Sequence, residues 1–270
     1  MSRKIAILGG GNLGQSIALG LMSTGNYQQG DVVVTRRKIH GVDELLDKGI
    51  EVITDNVEAV KRSELIFLCV QPKQLHHLLD QIKAVLNAQQ HVLVSTITGL
   101  AIDEIEAKVG DNFPIIRAMP NTAIAIRESM TCIATKTADN SQLEKVQSIF
   151  DVMGRTLIIE EELMAAATVL GASGIAFALR FIRAAAQGGI EMGFDAEEAQ
   201  AIAMQTCRGA ASLLIESGRH PESEIDRVTT PRGCTIAGLN EMEHNGLSSA
   251  LIKGIVASHK KIANIKKQVS

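Results

Sequence analysis

The sequence predicts an α/β fold: a doubly wound parallel sheet followed by an all-helical domain. Two observations predict it. Short Val- and Ile-rich runs alternate with amphipathic stretches through the first half of the chain, the order of a parallel sheet with helices on both faces. After about Ile159 the character changes and no convincing strand remains. The domain boundary is expected near 155–163, dividing the chain into 1–159 and 160–270.

Six runs have strand length: "KIAIL" (4–8), "DVVVT" (31–35), "ELIFLCV" (64–70), "HVLVST" (91–96), "PIIRAM" (114–119) and "MTCIAT" (130–135). They are apolar without alternation, which suits strands buried on both faces. Helical patterns lie between several of them: "GQSIALGLMSTG", "VDELLDKG", "PKQLHHLLDQIKAVLN" and "IDEIEAKVG". In the second half, "DAEE" (195–198) fits a capping box opening a helix that runs toward Gly218. A loop holding Pro221 and Pro231 is expected next, then helices around "IAGLNEMEH" and "SSALIKGIVASHKKIANIKK". The stretch from Met164 to Ala186 is apolar or small on nearly every face, so it must be covered all round. A small helical domain cannot enclose it alone, which predicts an interface between copies of the chain.

Composition limits the function. Tryptophan is absent, tyrosine occurs once and the net charge is −3, so neither base-stacking platforms nor a basic footprint for nucleic acid is present. The four cysteines, Cys69, Cys132, Cys207 and Cys234, lie far apart without a CxxC pair and read as reduced thiols. The apolar run after "MSRK" is too short for a signal-peptide core, and no later stretch is expected to reach a membrane span of roughly 20 apolar residues. A soluble, cytoplasmic protein is expected, with no membrane or nucleic-acid partner. No metal site is expected either: His76 and His77 are adjacent on a helix and point in different directions.

Gly9, Gly11 and Gly14 form GxGxxG between the first strand and the first helix. In that context the first glycine permits a tight turn, the second lets backbone approach a pyrophosphate, and the third lets helix pack on strand. The N-terminal domain is therefore expected to hold a dinucleotide. The position about 20 residues beyond the glycines chooses the cofactor. It carries Thr35, followed by Arg36 and Arg37, with no carboxylate to repel a 2′-phosphate. A charge-assisted hydrogen bond of roughly 1.5–3 kcal/mol predicts NADPH over NADH, with NADH use open. Further on, "TTPRGCTIAGL" reads as a loop entering a helix N-terminus, with free N–H groups around Gly233, Cys234 and Thr235 that suit a carboxylate. Thr235 is open to two readings, an ordinary first-turn residue or a donor to a reacting nitrogen.

"RAMPNTA" (117–123), "LGASGIAF" (170–177) and "RVTTPRGCTIAGL" (227–239), with "GGGNLG" and the His220–Pro221 pair, resemble the pyrroline-5-carboxylate reductase family over essentially the whole chain. The resemblance implies NAD(P)H-dependent reduction of the cyclic imine L-1-pyrroline-5-carboxylate to L-proline. It also implies an N-terminal Rossmann-type domain and a helical dimerisation domain interlocking two subunits, in dimers that often assemble into decamers. Carried over by position, Gly9, Gly11, Asn12, Leu13 and Gly14 match the pyrophosphate loop, Thr35 and Arg36 the 2′ end, and Asn56 a ribose-side asparagine. Val70, Gln71 and Pro72 match a turn lining the cofactor, and Asn121 and Thr122 residues near the nicotinamide. Ser173, Gly233, Cys234 and Thr235 match the substrate side, with Thr235 and Ser173 as the catalytic pair.

The sequence also departs from the family pattern. Ala123 and Ile175 replace prolines, Gly171 and Ala172 stand where Ser and Gly are common, and Arg232 replaces the first glycine of PGG. If that glycine has positive φ, an arginine there is strained. Two other readings stay open. A β-hydroxyacid dehydrogenase would need a lysine in the helix after Gly174, where the nearest base is Arg180. A catalytically silent NADP-binding regulator would share the scaffold without turnover.

Overall fold

The computed structural model describes residues 4–38 and 40–269. The chain divides into two compact units, Met1–Ser173 with Ser258–Ser270, and Gly174–Ala257. In the first unit the strands are β1 (Ile5–Leu8), β2 (Val32–Thr35), β3 (Glu51–Ile53), β4 (Leu65–Leu68), β5 (Val92–Ser95), β6 (Ile115–Met119), β7 (Ser129–Thr135) and β8 (Gly154–Ile158). The helices between them are α1 (Asn12–Ser23), α2 (Asp43–Asp47), α3 (Asn56–Lys61), α4 (Leu75–Ile82), α5 (Ile102–Val109) and α6 (Asn140–Asp151).

The strands form one sheet in the order β3-β2-β1-β4-β5-β6-β7-β8. All pairs are parallel except β6–β7. That antiparallel pair corrects the expectation of a wholly parallel sheet. Only residues 120–128 join β6 to β7, and a parallel crossover needs about a dozen. Two further strands correct the count of six: β3 and β8 are the edges of the sheet, where one side lacks a neighbour and the apolar run is short. α3 and α6 are likewise additional to the expected helices.

Alternate strand residues feed two cores, as the two-residue period of a strand requires. Ile5, Ile7, Val34 and Phe67 face α1 and α6, with Phe67 against Phe150 at a ring separation of 5.9 Å. Ala6, Leu8, Ile66 and Leu68 face α3, α4 and α5, including Val60, Leu79 and Ile105. The carboxyl ends of β1, β2, β4, β5 and β6 consequently lie along one edge of the sheet.

After β8 come α7 (Met164–Ala167), a π-helical segment Thr168–Ser173, α8 (Gly174–Glu191), α9 (Ala196–Ser217), α10 (Pro221–Val228), α11 (Cys234–His244) and α12 (Leu247–Val269). Asp195 caps α9 by accepting from the Glu198 N–H at 2.9 Å, and Gly218 ends it with φ +63°. α10 replaces the expected loop: Pro221 sits at the first helical position, where its missing N–H costs nothing. Leu179, Phe181, Leu213 and Ile215 are all at least half exposed in a single copy. Glu161–Glu191 is, by length and composition, long and apolar enough to cross a membrane, which corrects the expectation that no stretch approaches a span.

A tight local constraint joins α1 to the exit of β1. A Cβ on Gly14 would run into the Gly9 carbonyl oxygen. Gly14→Ala is expected to lose about 1–3 kcal/mol of stability, read as a lowered urea midpoint; an unchanged midpoint contradicts the packing described.

Candidate active site at the carboxyl edge of the sheet

The glycine loop leaves β1 at Gly9, whose φ of +117° and closeness to β4 both demand glycine. A Cβ there would lie 2.5 Å from the Cys69 carbonyl oxygen. The Gly9 and Gly10 N–H groups donate to the Thr35 carbonyl at 3.2 and 2.8 Å, tying the loop to the end of β2. Gly11 caps α1 in extended backbone, with no side-chain cap and no acidic residue in the first turn. A Cβ on Gly11 would meet nothing within 4 Å. The N–H groups of Asn12, Leu13 and Gly14 have no acceptor within the helix, so its positive end faces open space. A dinucleotide pyrophosphate fits such a cradle.

Thr35 and Arg36 follow on β2. Thr35 is buried, and its Oγ1 donates to Asn56 Oδ1 at 2.6 Å. Asn56, the first residue of α3, donates from Nδ2 to Gln81 Oε1 at 2.9 Å. Arg36 is held by one bond, Nη1 to the Gly41 carbonyl at 3.1 Å, and among the described residues neither Arg36 nor Arg37 pairs with a carboxylate. Val70, Gln71 and Pro72 form the exit from β4. Pro72 opens a single 3₁₀ turn, and the Gln71 N–H donates to Gln74 Oε1 at 3.2 Å. The fold thus brings the loops after β1, β2 and β4 together, with the residues expected to hold a cofactor on them.

Asn121 and Thr122 follow β6. Asn121 is fixed on three sides: its N–H donates to Ser129 Oγ at 3.1 Å, its Oδ1 accepts from the Ala123 N–H at 3.0 Å, and its Nδ2 donates to the Gly171 carbonyl at 3.0 Å. Thr122 is exposed. Gly171 belongs to the π-helical segment that ends at Ser173, and such segments occur often at functional sites. Asn121 and the Ser173 turn are therefore joined directly within the first unit.

Gly233, Cys234 and Thr235 lie in the second unit, at the start of α11. Arg232 has φ +59°, the left-handed conformation that strains a non-glycine residue. Gly233 caps α11 without a side chain, and a Cβ there would lie 2.5 Å from Thr230 Oγ1. Cys234 is exposed and Thr235 half-buried. With no acidic residue in its first turn, α11 offers a second uncapped, positive helix end.

One constellation carries no sequence signal. The Glu161 carboxylate, nine-tenths buried, receives Arg117 Nη1 at 3.1 Å and the Ile102 N–H at 2.7 Å on Oε1, and Lys136 Nζ at 2.8 Å on Oε2. Burial pushes the Glu161 carboxyl up, but Lys136, the Ile102 N–H and Arg117 outweigh it and hold it below its ordinary value. Burial lowers the Arg117 guanidinium against the opposing pull of Glu161. The partners lie 44 and 59 residues from Glu161, so no local pattern announces them. The four cysteines are free thiols, with burial pushing Cys69 up to about 12. Among the described residues no group of three His, Cys, Asp or Glu side chains could hold a metal. A hollow of about 650 Å³ lined by Lys4, Ser63 and His91 lies at the opposite, amino edge of the sheet.

Comparison with known proteins agrees with the motifs. Residues 161–265 match a pyrroline-5-carboxylate reductase dimerisation model, and residues 4–99 an NADP oxidoreductase, coenzyme F420-dependent model. Pyrroline-5-carboxylate reductase 2 of Dictyostelium discoideum is 46% identical over 96% of this chain and 92% of its own. The chain belongs to the pyrroline-5-carboxylate reductase family. Pyrroline-5-carboxylate reductase 1 of the same organism is also 46% identical, over 97% of this chain, which spans about half (49%) of that longer relative. The fold of this family member matches the crystal structure of Plasmodium falciparum pyrroline carboxylate reductase with NADP bound, at a TM-score of 0.89, 22% identity and 98% coverage of both chains.

Because the folded value of Glu161 lies below its ordinary 4.5, the ionised carboxylate contributes stability above that pH. That contribution is lost as pH falls through the lowered value. Thermal unfolding across this acid window is expected to fall less steeply in Glu161→Gln; identical slopes would show that the cluster does not contribute.

Proposed function

We propose that the protein reduces L-1-pyrroline-5-carboxylate to L-proline with NADPH, NADH serving less well. The observation that carries this reading is the uncapped N-terminus of α1, with Gly11 open to solvent, beside Arg36 and without a competing carboxylate. Gly9, Gly11, Asn12, Leu13 and Gly14 would cradle the pyrophosphate. Thr35 and Asn56 would hold the ribose, and Arg36 the 2′-phosphate. Val70, Gln71, Pro72 and Thr122 would line the bound dinucleotide. Family membership and the match to the NADP oxidoreductase model support the same cofactor.

NADPH supplies the hydride when bound. The chain's own part is to bind and orient the imine and to exclude water. In this reading the N–H groups of Gly233, Cys234 and Thr235 receive the substrate carboxylate, and Asn121 orients the ring. The Thr235 hydroxyl would hydrogen-bond at the imine nitrogen, its oxygen accepting from the N–H once that nitrogen is protonated, and Ser173 is the second catalytic candidate. An iminium already carries the positive charge that accepts hydride, so the site requires no strong general acid. That agrees with a candidate set of Asn, Ser and Thr. Position supplies most of the acceleration.

The division into a cofactor domain, 1–159, and a substrate and oligomerisation domain, 160–270, belongs to this reading; the dimerisation match beginning at residue 161 supports it. So does a homodimer in which a second copy covers the exposed apolar surface of α8 and α9. Assembly of dimers into a decamer, residence in the cytoplasm, and the lack of a membrane or nucleic-acid partner complete it.

Steady-state kinetics with pyrroline-5-carboxylate tests the roles. Arg36→Ala is expected to raise KM for NADPH about ten- to a hundredfold, the loss of one charge-assisted bond, with little change for NADH. Equal losses with both cofactors would remove Arg36 from the 2′ end. Thr235→Ala is expected to lower kcat/KM about ten- to a hundredfold. A drop near 10⁴-fold would instead indicate general acid catalysis.

A further inference from the structure

The cluster of Arg117, Glu161 and Lys136 has no part in the proposed reaction, yet it is closely assembled. Three groups from three elements converge on one carboxylate: Arg117 on β6 and the N–H that opens α5 donate hydrogen bonds, and Lys136, just after β7, adds an ion pair. The Arg117 and Glu161 side chains are 8% and 5% exposed. Arg117 Nε and Glu161 Oε2 are buried with no hydrogen-bond partner among the described residues, Lys136 reaching Oε2 only as an ion pair. As a source of stability this is a poor arrangement. Desolvation of a buried pair is seldom repaid, an unpaired N–H adds to the cost, and an apolar pair of similar volume often does as well or better. What a converging set of directional bonds supplies, and an apolar pair does not, is position.

The position it fixes is the head of the segment that carries Ser173. Glu161 opens the 3₁₀ turn Glu161–Leu163 that leads into α7, whose Met164 is buried against Met119 and Ala134. Farther along the same segment, the Gly171 carbonyl accepts from Asn121 Nδ2. Arg117 lies in the middle of β6 and Asn121 on its exit, while Glu161 and Gly171 lie on the helical segment after β8. The same two stretches of chain are thus joined twice, once by the ion pair and once by the Asn121 amide.

We propose that Arg117 and Glu161 are positioning residues: their ion pair sets the register of the Met164–Ser173 segment against the Asn121 loop, and so orients Asn121 and Ser173 toward the reacting ring. This rests on the reading that Asn121 and Ser173 serve the substrate. Among the described residues neither charged side chain hydrogen-bonds or ion-pairs with the loops after β1, β2 and β4, so cofactor affinity is expected not to depend on the pair.

Two variants test it, Glu161→Gln and the apolar pair R117M/E161L. In both, kcat is expected to fall about ten- to a hundredfold while the Kd for NADPH stays within about twofold. Amide hydrogen exchange in residues 164–173 is expected to quicken about tenfold, with residues 9–14 unchanged. The apolar pair should regain the melting temperature without regaining kcat, a split that a merely structural role would not produce. If R117M/E161L does not fold, Glu161→Gln alone carries the kinetic and exchange readouts. Exchange and kcat close to wild type in a folded variant would overturn the proposal, as would NADPH affinity weakening in step with kcat. Exchange needs no turnover. A wild-type protein inactive on pyrroline-5-carboxylate would therefore overturn the function alone, and unchanged exchange the positioning alone.

Discussion

The close approach of α1 to β1 is the constraint on which the candidate site depends. Gly14 has no room for a Cβ because the Gly9 carbonyl occupies that space, and Gly9 has none because β4 ends beside it. With those contacts made, the loop is drawn in until two of its N–H groups reach the Thr35 carbonyl. The remaining N–H groups, at the start of α1, are left pointing away from the sheet. The parallel pairing of β2, β1 and β4 then places Thr35, Arg36, Val70 and Gln71 on the same edge as that helix end. A single added methyl group would disturb all of them together.

The same physics recurs in the second unit. α11 also begins at a glycine that offers no side-chain cap, and Gly233 packs against Thr230 as Gly14 packs against Gly9. An uncapped helix end is an anion site, and the proposed reaction has two anions to hold: the dinucleotide phosphates and the substrate carboxylate. Reduction of an imine asks little more of the protein than this. The candidate substrate-side residues are accordingly uncharged, and the buried charges on Arg117 and Glu161 are not among them. Arg232, at φ +59°, is the one strained residue beside the second helix end.

The interior of the sheet is legible in the sequence because β1, β2, β4, β5, β6 and β7 are rich in apolar, largely β-branched residues without regular alternation. The edges are not. β3 has three residues that are only half-buried, and β8 alternates, so neither carries a run that composition can mark. The direction of β7 is legible only in the length of its connection. Pro221 reads as a loop residue although it opens α10, since proline suits both places until the chain is folded. Gly9 through Gly14 can be read from spacing, because their roles are local. Thr35 can be placed beside Asn56, 21 residues away, only through the family resemblance. The Glu161 cluster cannot be read at all, since its donors come from elements that meet only in the tertiary fold.

Helices α8 and α9 carry apolar residues that a single copy leaves half exposed, and the length and composition of the segment that includes α8 also fit a membrane span. The dimerisation match over residues 161–265 favours a second copy as their cover. Delivery of hydride from cofactor to imine is the event that the proposed function requires of this arrangement. It is tested most directly by supplying NADPH carrying deuterium at both C4 positions together with pyrroline-5-carboxylate, and reading the product by mass spectrometry. Proline with one deuterium at C5 is the predicted result; unlabelled proline, or none, would contradict it.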